Sequence, residues 1–498
     1  MNTNTTRRDF LKYATGSAAL LALPRWLQAA APAAGPTGLA GRRPNIILIL
    51  TDDQGYGDLG RHGNPVIQTP HLDRFYDESV RFTDFCVSPT CSPTRSSIMT
   101  GRHEFKSGVS HTAFGRERLS LKATTVAQVL KSAGYHTGIF GKWHLGDEDA
   151  YQPNRRGFDE SLVHGAGAIG QNFGGCADVK GNKLFDPILR HNGQFVKSQG
   201  FCTDIFFSRA MKWINQVKGE QPFFLYLPTN APHTPLACPP EYLQKYEGKV
   251  TDKNTAKFFG MITNIDDNVG RLLEFLKQQG IEKDTLVIFM NDNGGTLGVN
   301  TFNAGMKGEK VTAHYGGIRA MSFWHWPGTL LPGARNQLTA HLDILPTLAE
   351  LAGAKVAPAV AARLDGFSLA PLLSEPAAPW HDDRIIVNHV GRWKQTPAKY
   401  GLDNGQVSLR WQNYLQLGTT SGQWELYDLQ ADIGETTDLA AKRPDIVARL
   451  NKAYDAWWAE VLPVVNSENA NVKKGSYTNY DELYQQQMAS HPPSLLER

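Results

Sequence analysis

Residues 45–50, Asn45-Ile-Ile-Leu-Ile-Leu50, run apolar without alternation, the pattern of a strand buried on both faces. Residues 135–140, 222–227 and 285–290 read as further strands. Helix patterns occupy 124–133, with Gly134 as the C-terminal stop, and then 204–217 and 258–279. Strands alternating with helices predict an α/β fold: a mostly parallel sheet with helices on both faces.

Each strand is followed at once by polar residues. These are Asp52-Asp53-Gln54-Gly55 after the first, Gly141-Lys142-Trp143-His144 after the second, Asn230-Ala231-Pro232-His233 after the third, and Asn291-Asp292-Asn293-Gly294 after the fourth. In open α/β sheets the ligand site lies beyond the carboxyl ends of the strands. Four distant segments therefore converge on one edge. Asp52, Asp53 and Asp292 would repel one another there unless a cation sat between them. Carboxylates with an Asn carbonyl suit Ca²⁺ or Mg²⁺ better than Zn²⁺.

The last third changes character. Residues 384–390, 406–417 and 423–429 read as strands of a small antiparallel sheet, with 408–417 alternating. Residues 443–461 form an amphipathic helix pattern carrying Leu450, Tyr454, Trp457 and Trp458. Packing against the sheet is the reading preferred for the tryptophans over carbohydrate stacking. An Ala- and Pro-rich linker lies near 354–363. The predicted division is a large α/β domain over 44–375, a C-terminal subdomain over 384–465 and a polar tail over 466–498.

Composition supports a globular chain: 41% hydrophobic and 20% charged among 498 residues. The 28 prolines and 47 glycines are scattered, which excludes collagen-like and low-complexity readings. Residues 1–31 hold Arg7, Arg8 and Lys12, an apolar run over 14–23, and Ala29-Ala30-Ala31. This has the layout of an export signal, and the paired arginines before Phe10-Leu11-Lys12 resemble a twin-arginine signal. The apolar run is about half of the roughly 20 residues a spanning helix needs. A periplasmic or secreted location, passage through the twin-arginine translocase and no stable membrane insertion are expected. The formal charge of +3 disappears once 1–31 are removed. A neutral chain gives no footing for a nucleic-acid partner.

Cysteines number five: Cys86, Cys91, Cys176, Cys202 and Cys238. In an exported chain the odd one needs its own explanation. Without Cys91, the remaining four allow three pairings or stand as buried thiols.

Cys91 opens Cys91-Ser92-Pro93-Thr94-Arg95, where Pro93 suits a first helical turn and Ser92 is a candidate cap. From residues alone, Cys91 is either a reactive thiolate at a helix N-terminus or a buried structural cysteine. The segment also resembles the sulfatase signature Cys-x-Pro-x-Arg. Asp52 to Asp58, Gly141 to Gly146, Asn291 to Gly294 and the run Tyr427-Asp428-Leu429 to Asp438-Leu439 match the family's further motifs in its order.

The resemblance implies an alkaline-phosphatase-like α/β fold with a smaller C-terminal subdomain. It implies conversion of Cys91 to formylglycine by a maturation enzyme, and one Ca²⁺ held by Asp52, Asp53, Asp292, Asn293 and the modified Cys91. Hydrolysis of sulfate monoesters follows, on a sulfated glycan or small molecule. The hydrated aldehyde would attack sulfur, and its second hydroxyl would later expel sulfate. By the same resemblance Arg95 orients the nucleophile, and Lys142 and Lys310 balance charge on the sulfate. His233 serves as acid for the leaving oxygen and His144 as base for sulfate release. Lys307 competes with Lys310. Tyr315 stands where the family commonly has Glu before Gly316-Gly317. A phosphonate or phosphate ester hydrolase using the same group, and a non-catalytic anion- or glycan-binding relative, are the rival readings. Loops over 165–194 and 389–393 are candidate substrate-facing segments.

Overall fold

A computed structural model of the chain describes residues 38–173, 176–219, 221–393, 396–468 and 478–496. The proposed export segment, 1–31, lies outside the described residues. Strands β1 (Asn45–Thr51), β2 (His136–Lys142), β3 (Phe223–Pro228) and β4 (Thr285–Asn291) lie side by side in the order β4-β1-β3-β2, all parallel. Each falls on a segment predicted from the pattern, with ends moved by one or two residues. β1 is central, with Leu48 in register with Tyr226 on one side and Ile288 on the other.

Successive side chains of a strand face opposite ways. Ile46, Leu48 and Leu50 therefore enter one core with Tyr226, Ile288 and Met290. Ile47 and Ile49 enter the other with Leu225, Leu227 and Phe289. Both sets are fully buried, which explains a run apolar at every position. Each such side chain stabilises the fold by about 1.5–3 kcal/mol. Helices Cys202–Val217 and Lys253–Gln278 cover the second core, and Val126–Ser132 and Ile344–Ala352 the first. The helix predicted from 258 starts earlier because Asp252 caps it, accepting the Thr255 N–H at 2.8 Å.

Among the described residues the sheet extends to eleven strands. Gly333–Arg335, Val80–Phe82 and Ser322–His325 continue it beyond β4. Glu160–His164, Ile188–His191, Gln194–Lys197 and Ser494–Leu495 continue it beyond β2. Antiparallel pairs on both flanks make it mixed. This is the sandwich expected from the alternating pattern.

A separate antiparallel sheet orders β5 (Ile385–His389), β6 (Val407–Trp411), β7 (Tyr414–Gly418) and β8 (Trp424–Asp428). The single strand read over 406–417 is in fact the hairpin β6–β7, turning at Gln412, whose φ is +50°. The following helix, Pro444–Glu468, buries Leu450 and Tyr454 against β6 and β8. Trp458 packs with Phe105, Trp393 and Val461, as the packing reading expects. Within the polar tail, helix Tyr480–Ser490 forms, and the Tyr480 hydroxyl donates to Gln152 at 2.8 Å. All five cysteines are free thiols, so none of the three pairings is present. No helix among the described residues is long and apolar enough to cross a membrane.

Candidate active site

The strand ends are tied to one another by backbone. Asp52 N–H donates to Ala231 O at 3.2 Å, and Asp292 N–H to Thr51 O at 3.0 Å. The residues after β1, β3 and β4 are thus locked into one edge. Asp53 (φ +67°) and His144 (φ +57°) occupy left-handed conformations that a side chain adopts only at a cost.

Helix α1 (Cys91–Thr100) runs through this edge with all ten residues buried. Two of its hydroxyls are absorbed within the helix: Ser96 donates to Pro93 O at 2.9 Å and Thr100 to Ser96 O at 2.8 Å. It ends at Gly101, whose φ is +64°. Cys91 is the first helical residue, as expected. The cap is not Ser92 but Thr90, through its backbone conformation alone, and the Ser92 hydroxyl is buried without a partner. Ser92 lies too far into the first turn to accept from it.

Six charges interlock around the helix. The Arg95 guanidinium lies 2.7 Å from Asp292 Oδ2 and 3.4 Å from Asp52 Oδ2, and also donates to Lys142 O at 3.1 Å. Lys142 Nζ pairs with Asp52. Lys310 Nζ lies 2.5 Å from Asp53 Oδ1, and Asn293 Nδ2 donates to the same oxygen at 3.0 Å. Lys307 instead lines an outer cavity of about 420 Å³ with Val299 and His314, so Lys310 is the lysine of the cluster. His233 places Nε2 3.7 Å from Asp53 Oδ2 while its Nδ1–H donates to Thr234 O.

These contacts set the protonation states. Burial pushes Asp52 up, but Lys142, His233 and Arg95 outweigh it and hold it below the usual carboxylate range. Asp53 is likewise lowered against its burial, by Lys310 first and then His233. Asp292 goes the other way: burial and the neighbouring Asp52 push it up to about 6 despite Arg95. Burial and Lys142 hold His144 well below its ordinary value. The neutral ring donates Nε2–H to Thr112 O at 2.8 Å, which leaves Nδ1 as a lone pair, buried without a partner.

The donor set suits a hard divalent cation. Asp52, Asp292 and Cys91 each bring a ligand atom to within 4.8 Å of the other two, and so do Asp52, Asp53 and His233. Asp52 Oδ1 and Asn293 Oδ1 are buried and unpartnered, a state that is costly unless something binds them. The residues present fit such an ion.

Two contributors had no assigned role in the sequence. Glu435, in the motif after β8, accepts the Tyr315 N–H at 2.7 Å and pairs with His314 at 2.5 Å. It braces the Gly-Gly turn, whose Gly317 O accepts Gly294 N–H at 3.0 Å. Arg392, in a segment read only as substrate-facing, donates to Thr112 Oγ1 at 3.3 Å. Of the other candidate loop, Gly167 lies against His144, where an added Cβ would meet Nε2 at 2.9 Å.

The Sulfatase family model matches residues 44–354. Human arylsulfatase A is 34% identical over 462 residues, covering 83% of this chain and 88% of that protein. The rat N-acetylgalactosamine-6-sulfatase is 31% identical over 71% of both chains. The crystal structure of Ps i-CgsB in complex with k-i-k-neocarrahexaose superposes with a TM-score of 0.76 at 29% identity, over 87% of this chain and 96% of that one. On the fold, the strand-end cluster and these matches together, the chain belongs to the sulfatase family and is a sulfuric ester hydrolase.

Proposed function

We propose that the protein cleaves sulfate monoesters of a glycan or aryl alcohol using a formylglycine made from Cys91 and one divalent cation, Ca²⁺ or Mg²⁺. The observation carrying this is Cys91 Sγ at the start of a fully buried helix, within 4.8 Å of carboxylate oxygens of both Asp52 and Asp292. A structural cysteine has no need of that company. Asp52, Asp53, Asp292 and Asn293 would hold the cation beside residue 91. When in place, formylglycine supplies a hydroxyl nucleophile and the cation makes it more acidic.

The remaining work falls to this chain's side chains. Arg95 fixes Asp292 and Asp52 in position. Lys142 and Lys310 balance negative charge on the sulfate oxygens. His233 would act as acid in its imidazolium form: with Nδ1–H held by Thr234 O, it gives the second proton, carried on Nε2 beside Asp53, to the leaving oxygen and is left neutral. His144 Nδ1, a neutral lone pair, takes the proton whose loss releases sulfate. The names of the rat relative and of the oligosaccharide complex support a sulfated glycan as substrate. The same reading assigns 44–375 to catalysis and 384–465 to a C-terminal subdomain. It assigns 1–31 to twin-arginine export to the periplasm or beyond, and adds a formylglycine-generating enzyme as partner.

The test is the mass of the tryptic peptide 82–95 from active protein, beside sulfate release from 4-nitrophenyl sulfate and phosphate release from the matching phosphate ester. Conversion of –CH₂SH to –CHO lowers the mass by about 18 Da. An unmodified Cys91 in protein that turns over substrate overturns the mechanism. Faster cleavage of the phosphate ester than of the sulfate overturns the substrate class.

A further inference from the structure

Arg95, Lys142 and Lys310 are each paired with a carboxylate of the cluster. Arg392 is not. It forms no ion pair among the described residues, its Nε is buried without a partner, and the side chain is only partly exposed. A half-buried guanidinium without a counter-charge is costly to keep, and its planar fork suits a carboxylate or sulfate.

The backbone is built to hold it there. Gly391 (φ +69°) lies so close to Ser110 that an added Cβ would meet Ser110 O at 2.1 Å. Arg392 follows in a left-handed conformation (φ +59°), with its N–H toward Ser110 O at 3.4 Å. Its guanidinium then reaches Thr112 Oγ1, and the carbonyl of the same Thr112 accepts from His144 Nε2. Two hydrogen bonds therefore separate Arg392 from His144. Burial lowers the Arg392 pKa, and Cys91 and Asp53 act on it in the opposite sense, so its charge lies within electrostatic reach of both.

We infer that Arg392 is a specificity-determining residue that binds a second anionic substituent of the substrate, a further sulfate or a carboxylate, on the His144 side of the ester being cleaved. The inference rests on the sulfatase reading of the site. It goes beyond that reading because the paired cations already serve the scissile sulfate, whereas Arg392 has no anion of its own.

The experiment measures kcat/KM for wild type, Arg392→Gln and Arg392→Lys on four probes. These are 4-nitrophenyl sulfate, a monosulfated disaccharide, the same disaccharide with a second sulfate, and the same disaccharide with a uronate carboxylate. A charge-assisted hydrogen bond is worth about 10- to 100-fold. The ratio of a doubly charged disaccharide to 4-nitrophenyl sulfate should fall by that factor in Arg392→Gln, through KM, and recover largely in Arg392→Lys. The probe showing the larger fall identifies sulfate or carboxylate as the anion taken. An unchanged ratio in Arg392→Gln overturns the proposal. Should wild type fail to turn over any probe, the hydrolase mechanism falls instead. Calorimetric binding of the disulfated disaccharide then decides on Arg392, equal affinities of wild type and Arg392→Gln overturning it.

Discussion

Arg95 and Asp292 form an ion pair of 2.7 Å in which neither side chain is exposed. Asp292 is the carboxylate that burial and Asp52 drive upward, so Arg95 is what keeps it usable as an anion. Removing either member leaves the buried cluster of six charges out of balance by one, at about 3–5 kcal/mol. Arg95→Met and Asp292→Asn should each lower stability in urea unfolding by that order. The double variant should lose about 2 kcal/mol less than the sum. Additivity within about 0.5 kcal/mol would show that the two residues act separately.

Gly141 carries the second prediction. Its φ is +132°, and a Cβ there would lie 1.8 Å from the carbonyl oxygen of Pro228 on β3. The glycine lets β2 approach β3 just before Lys142 and His144. Gly141→Ala must push two backbones apart, and should cost about 3 kcal/mol or more together with most of the activity. Gly193→Ala is the control: φ is +90° but nothing lies within 4 Å, so only local strain of about 1 kcal/mol is expected. Equal losses in the two variants would refute the close-approach account.

β1 was legible in the sequence because both of its faces are buried, and Asp52, Asp53 and Asp292 because each directly follows a strand. The hairpin β6–β7 was not. A period of two over 408–417 suggests one strand with Leu409, Leu415 and Leu417 on one face. The turn reverses that parity: Leu409 pairs across to Gln416, and Leu415 to Arg410. Leu409 consequently packs beneath helix Pro444–Glu468, while Leu415 packs with Met306 and Tyr315, on the loop that carries Lys310. Glu435 with Tyr315, Arg392 with Thr112 and Tyr480 with Gln152 are likewise pairs separated by more than a hundred residues. Their partners follow from tertiary packing, which local periodicity does not encode.

Glu104 makes a pH prediction. It is buried, accepts from Ser97 Oγ at 3.1 Å, and burial pushes it up to about 7 from an ordinary 4.5. The folded state therefore binds the proton more tightly than the unfolded state. Stability should fall as pH rises from about 4.5 and level off above about 7, by up to about 3 kcal/mol from this residue. Glu104→Gln mimics the protonated form. Its stability relative to wild type should improve by roughly that amount between pH 5 and pH 8, read from urea midpoints. A constant difference across this range would mean that Glu104 has an ordinary pKa.

Cation binding should stabilise the fold without being required for it. Asp52 and Asp53 already have lysine partners, Lys142 and Lys310, so the carboxylates are neutralised when no ion is bound. What an ion adds is a partner for Asp52 Oδ1 and Asn293 Oδ1. A ligand at 100 times its dissociation constant stabilises by about 2.7 kcal/mol. Protein stripped with chelator should therefore melt cooperatively but lower, and saturating Ca²⁺ should raise Tm by several degrees, more than Mg²⁺ if flexible carboxylate ligation favours the larger ion. Asn293→Ala should lose most of that rise while keeping the Tm of the stripped protein close to that of wild type, because Asp53 retains Lys310. Scanning calorimetry of wild type and Asn293→Ala, each stripped and with Ca²⁺, decides the point. A Tm indifferent to Ca²⁺ in wild type, or an equal rise in Asn293→Ala, would place the cation elsewhere.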